Sequence, residues 1–237
     1  VDSAVMVIDG AKGIEAQTKK LFKVCSMRGI PIFTFINKID RETKDPFDLV
    51  QELEDVLGLP SVPVTWPIGN GLNFEGIYDI LKNEVHLYKA GKTITLGEDG
   101  VFGSELESEI AGYNLSALRD EIELIQGAGN DFDMDLIAKG KLSPVFFGSA
   151  LADFGTIPFL NHFLDMSPAP GARKTTTGEV LPTDEFFSGF IFKIQANMNP
   201  AHRDRLAFFR ICSGTFERGM SVRLSRTGKE MKLAQST

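Results

Sequence analysis

Three apolar runs of strand length constrain this chain more than anything else in it: Ala4-Val5-Met6-Val7-Ile8, Ile30-Pro31-Ile32-Phe33-Thr34-Phe35-Ile36 and Pro144-Val145-Phe146-Phe147. A strand with one solvated face alternates apolar and polar residues. An uninterrupted apolar strand has to be covered on both faces, which is the habit of parallel sheets flanked by helices. The intervening sequence is helical in period. From about residue 14 to 27, Ile14, Thr18, Leu21, Phe22 and Cys25 recur at helical spacing, and Gly29 closes the segment. Asp45 reads as an N-cap with Pro46 as the first helical residue, and Val50, Leu53 and Leu57 form one stripe behind it. Strand and helix in alternation imply βαβ units, so the fold class is α/β with a parallel sheet.

The rest of the chain divides by its local patterns. Val62-Pro63-Val64-Thr65-Trp66-Pro67-Ile68 reads as one further strand, with Trp66 in the core, ahead of Gly69-Asn70-Gly71. Short strands and turns follow to about 103, then an acidic helix-prone stretch over 104–125; together 74–143 reads as an insertion. A helix over about 156–166 places Ile157, Leu160, Phe163 and Leu164 on the core side. Residues 1–167 are then one domain, and Pro168-Ala169-Pro170-Gly171 opens a linker over 168–185 that includes a Thr-rich 175–177. Beyond it, strands near 187–194, 206–212 and 220–224, separated by glycines, read as the start of an antiparallel β-barrel over 186–237.

Composition excludes several classes. No apolar run approaches the ~20 residues that span a bilayer, so no membrane association is expected. No charged segment followed by an apolar one opens the chain, so no secretory leader is expected, and the two cysteines, Cys25 and Cys212, read as free thiols in a reducing compartment. Beginning at Val1, already inside a strand, the chain reads as a segment of something longer. Its formal charge of −7 conceals an acidic 1–185 and a basic 186–237, where nine Lys and Arg face three Asp and Glu. The basic part permits a phosphate-rich partner, unless it is simply an arginine-rich barrel.

The second apolar run delivers Asn37-Lys38-Ile39-Asp40 to the carboxyl end of a strand, where open α/β sheets bind ligands. The third delivers Gly148-Ser149-Ala150 to a like position. Guanine presents two adjacent donors, N1–H and the exocyclic amine, and one carboxylate accepts both. Asp40 is placed for that contact. Adenine lacks the donors and leaves the charge unpaired, a mismatch that such sites reject by roughly 10⁴-fold. Asn37 would bridge loop and base, Lys38 would lay its methylene stem across base and ribose, and Ile39 sets the reach. Backbone N–H groups at Ser149 and Ala150 would face the guanine carbonyl oxygen. The competing reading is that Asn37 and Asp40 merely form turns.

Other candidates are weaker. Gly10-Ala11-Lys12-Gly13 has the wrong spacing to wrap a phosphate and reads as a turn, and no GxxxxGK[ST] occurs in the 237 residues. The three histidines, His86, His162 and His202, lack metal-ligand spacing, so no metal site is expected in this chain.

These residues resemble the translational GTPases. The run from Val1 to Thr18 is similar to the segment that follows the family's switch regions, and Asn37-Lys38-Ile39-Asp40-Arg41 is shared by its large ribosomal factors. Thr65-Trp66-Pro67-Ile68-Gly69, the segment 144–150, the segment 190–198 and His202-Arg203-Asp204-Arg205 resemble the branch that acts in termination. The resemblance implies a P-loop-NTPase-like sheet forming the C-terminal part of a G domain, then the translation-factor barrel. It implies GTP and GDP as ligands, read by Asn37, Lys38, Ile39, Asp40, Ser149 and Ala150. Mg²⁺ is expected for the parent protein, with its ligands and the catalytic groups lying upstream of Val1; no catalytic residue is assigned in this chain. The implied activity is ribosome-stimulated GTP hydrolysis that recycles codon-reading release factors, in a cytoplasmic monomer whose partners are the ribosome, its RNA and proteins, and those factors. An elongation factor G-like or ribosome-protection GTPase is the alternative. A second alternative is a noncatalytic ribosome-binding fragment, since the chain alone is expected not to hydrolyse GTP.

Overall fold

The computed structural model describes residues 1–196 and 205–234. The resembling residues Asn197, Met198, His202, Arg203 and Asp204 lie outside them. The chain divides into two compact units, Val1–Pro168 and Ala169–Thr237.

The first unit is built on β1 (Ala4–Asp9), β2 (Ile32–Asn37), β3 (Ser61–Pro63) and, after an excursion, β8 (Ser143–Gly148). These form a parallel four-stranded sheet in the order β1-β2-β8-β3. Helices α1 (Ala16–Met27) and α2 (Pro46–Leu57) connect its front strands. The first apolar run corrects the expectation of two covered faces: β1 is the edge strand, with Val5 and Val7 exposed and only Ile8 fully in the core. Two hydrophobic clusters explain the apolar runs of β2 and β8. Phe33, Phe35 and Phe146 enter one, with Val62, Val64 and Phe159. Ile36, Val145 and Phe147 enter the other, with Leu49, Leu53 and Trp66. Successive residues of one strand thus serve opposite cores, each large side chain contributing about 1.5–3 kcal/mol.

The strand expected over 62–68 is two. Val64 divides it, donating its N–H to Val145 O at 2.8 Å while its carbonyl accepts from Ile80 N at 2.9 Å. Beyond it, β4 (Thr65–Ile68) joins β5 (Gly76–Asp79), β6 (Glu84–Leu87) and β7 (Lys92–Thr95) in an antiparallel sheet of their own. Trp66 on β4 is fully buried between Phe47 of α2 and Phe147 of β8, with ring centroids 4.7 and 5.3 Å away.

Helix α3 (Gly112–Ala128) starts eight residues later than the helical pattern at Ser104 implies. The preceding turns bury Leu106 and Ile110 and are pinned by Arg119, which donates to Val101 O and Gly103 O. A short α4 (Met134–Ala138) then leads into β8.

Helix α5 (Thr156–Met166) corrects the expected face. Ile157, Leu160 and Leu164 are exposed, and the buried residues are Phe159, His162 and Met166. His162 is the cause. Its Nε2 meets Asp79 Oδ2 at 2.7 Å, both side chains almost wholly out of solvent, and Asp79 Oδ1 accepts from Lys82 N. A buried polar group that loses its partner costs about 1–3 kcal/mol, so this contact, with the burial of Phe159 and Met166, holds that face of α5 inward. Helix α1 is also less buried than its pattern implies: Leu21 is exposed, while Phe22 and Cys25 are half-buried.

The second unit is antiparallel throughout. β9 (Arg173–Thr175) and β10 (Gly178–Val180) make a hairpin inside the expected linker. β11 (Ser188–Ala196) pairs with β12 (Arg205–Ser213), with register shifts at Ser188/Gly189 and Ile191/Lys193. β13 (Ser221–Arg223) pairs with β14 (Glu230–Lys232). Gly189 is required by close approach, since a Cβ there would meet Arg210 O and the Phe209 ring. Cys25 and Cys212 are both free. Among the described residues no helix is long and apolar enough to cross a membrane.

Trp66 Nε1 donates to Glu121 Oε2 at 2.7 Å. Burial pushes the Glu121 carboxyl above its ordinary value; the Trp66 hydrogen bond opposes this and the nearby Asp45 and Asp120 add to it. The native state therefore favours the neutral acid. Its stabilising contribution is present at pH below the ordinary glutamate value of 4.5 and is lost as pH rises through the higher folded value. Glu121→Gln, neutral at every pH, should melt higher than the wild type at pH 8, and the difference should close near about pH 4. Melting followed by the fluorescence of the single tryptophan measures both.

Candidate functional site

Three neighbouring parallel strands end at the same level. Asp9 of β1 is in register with Asn37 of β2, and Asn37 with Gly148 of β8. The two segments expected to read a base, 113 residues apart at Asn37 and Ala150, are thereby brought side by side. The Asn37 side chain joins them: its Oδ1 accepts from Lys38 N and from Ala150 N, both at 2.9 Å. Ile39 N reaches Gly148 O at 3.3 Å, and the Ile39 side chain is buried, anchoring the first loop to the core.

The second loop is closed on itself. Ser149 and Phe154 exchange N–H···O bonds of 2.9 and 3.0 Å before Gly155, at φ +75°, turns the chain into α5. Gly148 has no room for a Cβ, which would meet the Phe35 ring and Phe154 O. The Ser149 N–H is thus spent on Phe154 and the Ala150 N–H on Asn37. Neither expected backbone donor is free here, so contact with a carbonyl oxygen requires Ala150 to share its N–H or to exchange partners.

Two side-chain atoms are left over. Asp40 Oδ1 and Ser149 Oγ are buried and make no hydrogen bond. A buried, unpaired polar atom is costly, and such atoms in a native structure call for an explanation. Among the described residues Asp40 Oδ2 has Arg41 Nε at 4.0 Å, a long contact. An unpaired acceptor on the first loop and an unpaired hydroxyl on the second, both after strands that end at one level, suit a ligand edge that offers donors. Guanine has such an edge, and the residue types present fit it.

The first loop is held from outside as well. Lys38 adopts φ +72°, a left-handed conformation that costs a non-glycine residue about 1–3 kcal/mol unless its surroundings impose it. Its Nζ lies 2.6 Å from Asp9 Oδ2. Asp9 Oδ1 in turn accepts from Ala11 N at 3.0 Å and Lys12 N at 3.3 Å. The Lys38 hydrogen bond, with those backbone donors, holds the Asp9 carboxyl below its ordinary value against the opposing effect of burial.

Gly10 N donates to Asn37 O at 2.9 Å, and Gly10 O accepts from Lys44 N at 3.0 Å. Asn70 grips Thr43 from the other side, accepting from its N at 3.2 Å and Oγ1 at 3.1 Å and donating to its O at 3.2 Å. Glu52 accepts from Ile14 N at 3.1 Å and pairs with Lys44 at 2.9 Å. Burial raises its carboxyl, but Lys44, Ile14 and Lys19 outweigh that and hold it below its ordinary value.

Asp9, Asn70 and Glu52 carried no motif in the sequence. Asp9-Gly10 was legible only as the punctuation ending a strand. Among the described residues no group of His, Cys, Asp and Glu is arranged to hold a metal ion.

With this geometry in place, comparison with known proteins adds a family. Residues 1–169 match the model of the elongation factor Tu GTP binding domain, and residues 186–237 match elongation factor G domain 2. The chain is 57% identical over 247 residues to peptide chain release factor 3 of Ligilactobacillus salivarius, covering 100% of this chain and 46% of the relative. It is 56% identical over 238 residues to that of Streptococcus mutans, and 57% over 240 residues to that of Listeria innocua, again over 100% of this chain and 45% and 46% of the relatives. The chain spans about half the length of the curated relatives it matches.

Asn37→Ala deletes the acceptor shared by the two loops and strands two N–H groups. It should lower stability by about 1–2 kcal/mol in urea unfolding and speed amide exchange at Lys38 and Ala150 together. Faster exchange in one loop alone would show that Asn37 does not couple them.

Proposed function

Since the chain belongs to the elongation factor Tu GTP-binding domain family of translational GTPases, we propose that it supplies the guanine-reading part of a GTPase of translation termination. The observation that carries the reading is the unpaired Asp40 Oδ1 on one loop and the unpaired Ser149 Oγ on the other, the two loops being joined by Asn37. Asp40 accepts the guanine N1–H and amine. The Lys38 stem lies across the base, and Ile39 keeps both at a constant reach from the core. Ala150 N–H, at the edge of the second loop, takes the carbonyl oxygen by sharing its bond with Asn37. Specificity then follows from the penalty of leaving a carboxylate unpaired when adenine is offered.

In the same reading, hydrolysis of GTP is stimulated by the ribosome and drives codon-reading release factors off it, in the cytoplasm. The 55–57% identity to proteins named peptide chain release factor 3 favours this over an elongation factor G-like or ribosome-protection role. Phosphoryl transfer depends on phosphate-cradling groups and Mg²⁺, which neutralises charge on the phosphates. The 237 residues contain no GxxxxGK[ST] and assign no group to either task. The chain by itself therefore reads the base without binding the phosphates tightly. By calorimetry it should bind GDP more weakly than micromolar and release no phosphate from GTP. Micromolar affinity or measurable turnover would refute this part.

Asp40→Asn replaces an acceptor by an amide that can donate, and xanthine has a carbonyl where guanine has its amine. The variant should lose preference for GDP over XDP in nucleotide titrations, by tenfold or more. An unchanged preference would remove Asp40 from the base site.

A further inference from the structure

We propose that Asp9 is a positioning residue of the guanine reader: it holds Lys38 by its ammonium so that the lysine stem is fixed over the base site before any nucleotide arrives. The inference rests on the base-reading assignment above and extends it to a residue outside both motif segments. Three features carry it. The register of the parallel sheet places Asp9 level with Asn37, so its carboxylate projects from the strand beside the one that carries the loop. The carboxylate is itself immobilised, with Oδ1 held by two backbone N–H groups of its own turn and Oδ2 2.6 Å from Lys38 Nζ. And the backbone from which Lys38 starts is fixed, at φ +72° between Asn37, which accepts from Ala150 N, and Ile39, whose N–H donates to Gly148 O.

The functional consequence is pre-organisation. A free lysine has four rotatable side-chain bonds, and a stem that must stack on a base loses that freedom on binding. Asp9 removes much of it beforehand while the Lys38 side chain stays 48% exposed. The Gly10 and Lys44 backbone bonds tie the same turn to both ends of the loop, so the hold on Lys38 and the path of 37–44 are set together.

Asp9→Asn tests this, because asparagine keeps an oxygen for Ala11 and Lys12 but loses the charge. Asp9→Glu keeps the charge at a longer reach. Two readouts on the full chain are needed. In the absence of nucleotide, amide exchange of the peptide over 37–44 should quicken in Asp9→Asn, with the melting temperature little changed, and return toward wild type in Asp9→Glu.

In titrations with millimolar GDP followed by NMR, Asp9→Asn should bind about two- to five-fold more weakly while keeping the wild-type preference for GDP over XDP, which separates it from Asp40→Asn. Unchanged exchange over 37–44, or equal GDP affinity in wild type and Asp9→Asn, overturns the proposal and leaves the base-reading assignment standing. If GDP moves no signal of 37–40 or 148–150 in the wild type, the base-reading assignment fails and this proposal fails with it.

Discussion

Everything at the candidate site depends on the pairing of two parallel strands, β2 and β8, that are separated by more than a hundred residues of other structure. Their register sets Asn37 against Gly148, and one side-chain oxygen of Asn37 then binds the backbone of both loops. Two parallel strands buried on both faces cannot slip by one residue without exchanging every side chain between two different cores. Phe33 and Phe146 belong to one core, Ile36 and Phe147 to the other. The register is therefore specified by packing far from the site, and the site inherits its geometry from that packing.

The excursion between these strands is more than a spacer. Its antiparallel sheet shares one hydrophobic cluster with the main sheet through Trp66, and its Asn70 grips the loop that carries Asp40. From the opposite end, Asp79 of the same sheet binds His162 on α5, the helix that follows the Ser149 loop. Both loops of the candidate site are thus braced by this one excursion. Asn70 makes three hydrogen bonds to a single residue, which pins a backbone more firmly than one bond could.

The sequence was legible where periodicity and local chemistry act on a few residues. The apolar runs of β2 and β8 led to a two-faced parallel sheet, though the like run of β1 lies at the sheet edge with Val5 and Val7 exposed. Asp45-Pro46 led to the start of α2, with Asp45 Oδ1 accepting from Phe47 N at 2.8 Å, and Asn37-Lys38-Ile39-Asp40 to a strand end. It failed where a long-range polar partner changed the outcome. The spacing of apolar residues placed Ile157, Leu160, Phe163 and Leu164 inward in α5, and of these only Phe163 packs against the core; the partner that helps draw His162 inside, Asp79, is far away in sequence. Val62 to Ile68 reads as one strand because a division between two sheets leaves no local mark.

What the sequence determined by itself is the set of candidate base-reading groups and the strand ends that carry them, because motif, strand and turn are all encoded within a dozen residues. What only the tertiary structure decided is which of those groups are free. Ser149 N–H and Ala150 N–H are spent on Phe154 and Asn37, while Asp40 Oδ1 and Ser149 Oγ are left unpaired and Lys38 is held by Asp9. Hydrogen-bond satisfaction is settled by three-dimensional neighbours, and those neighbours lie on strands and loops that only folding brings together.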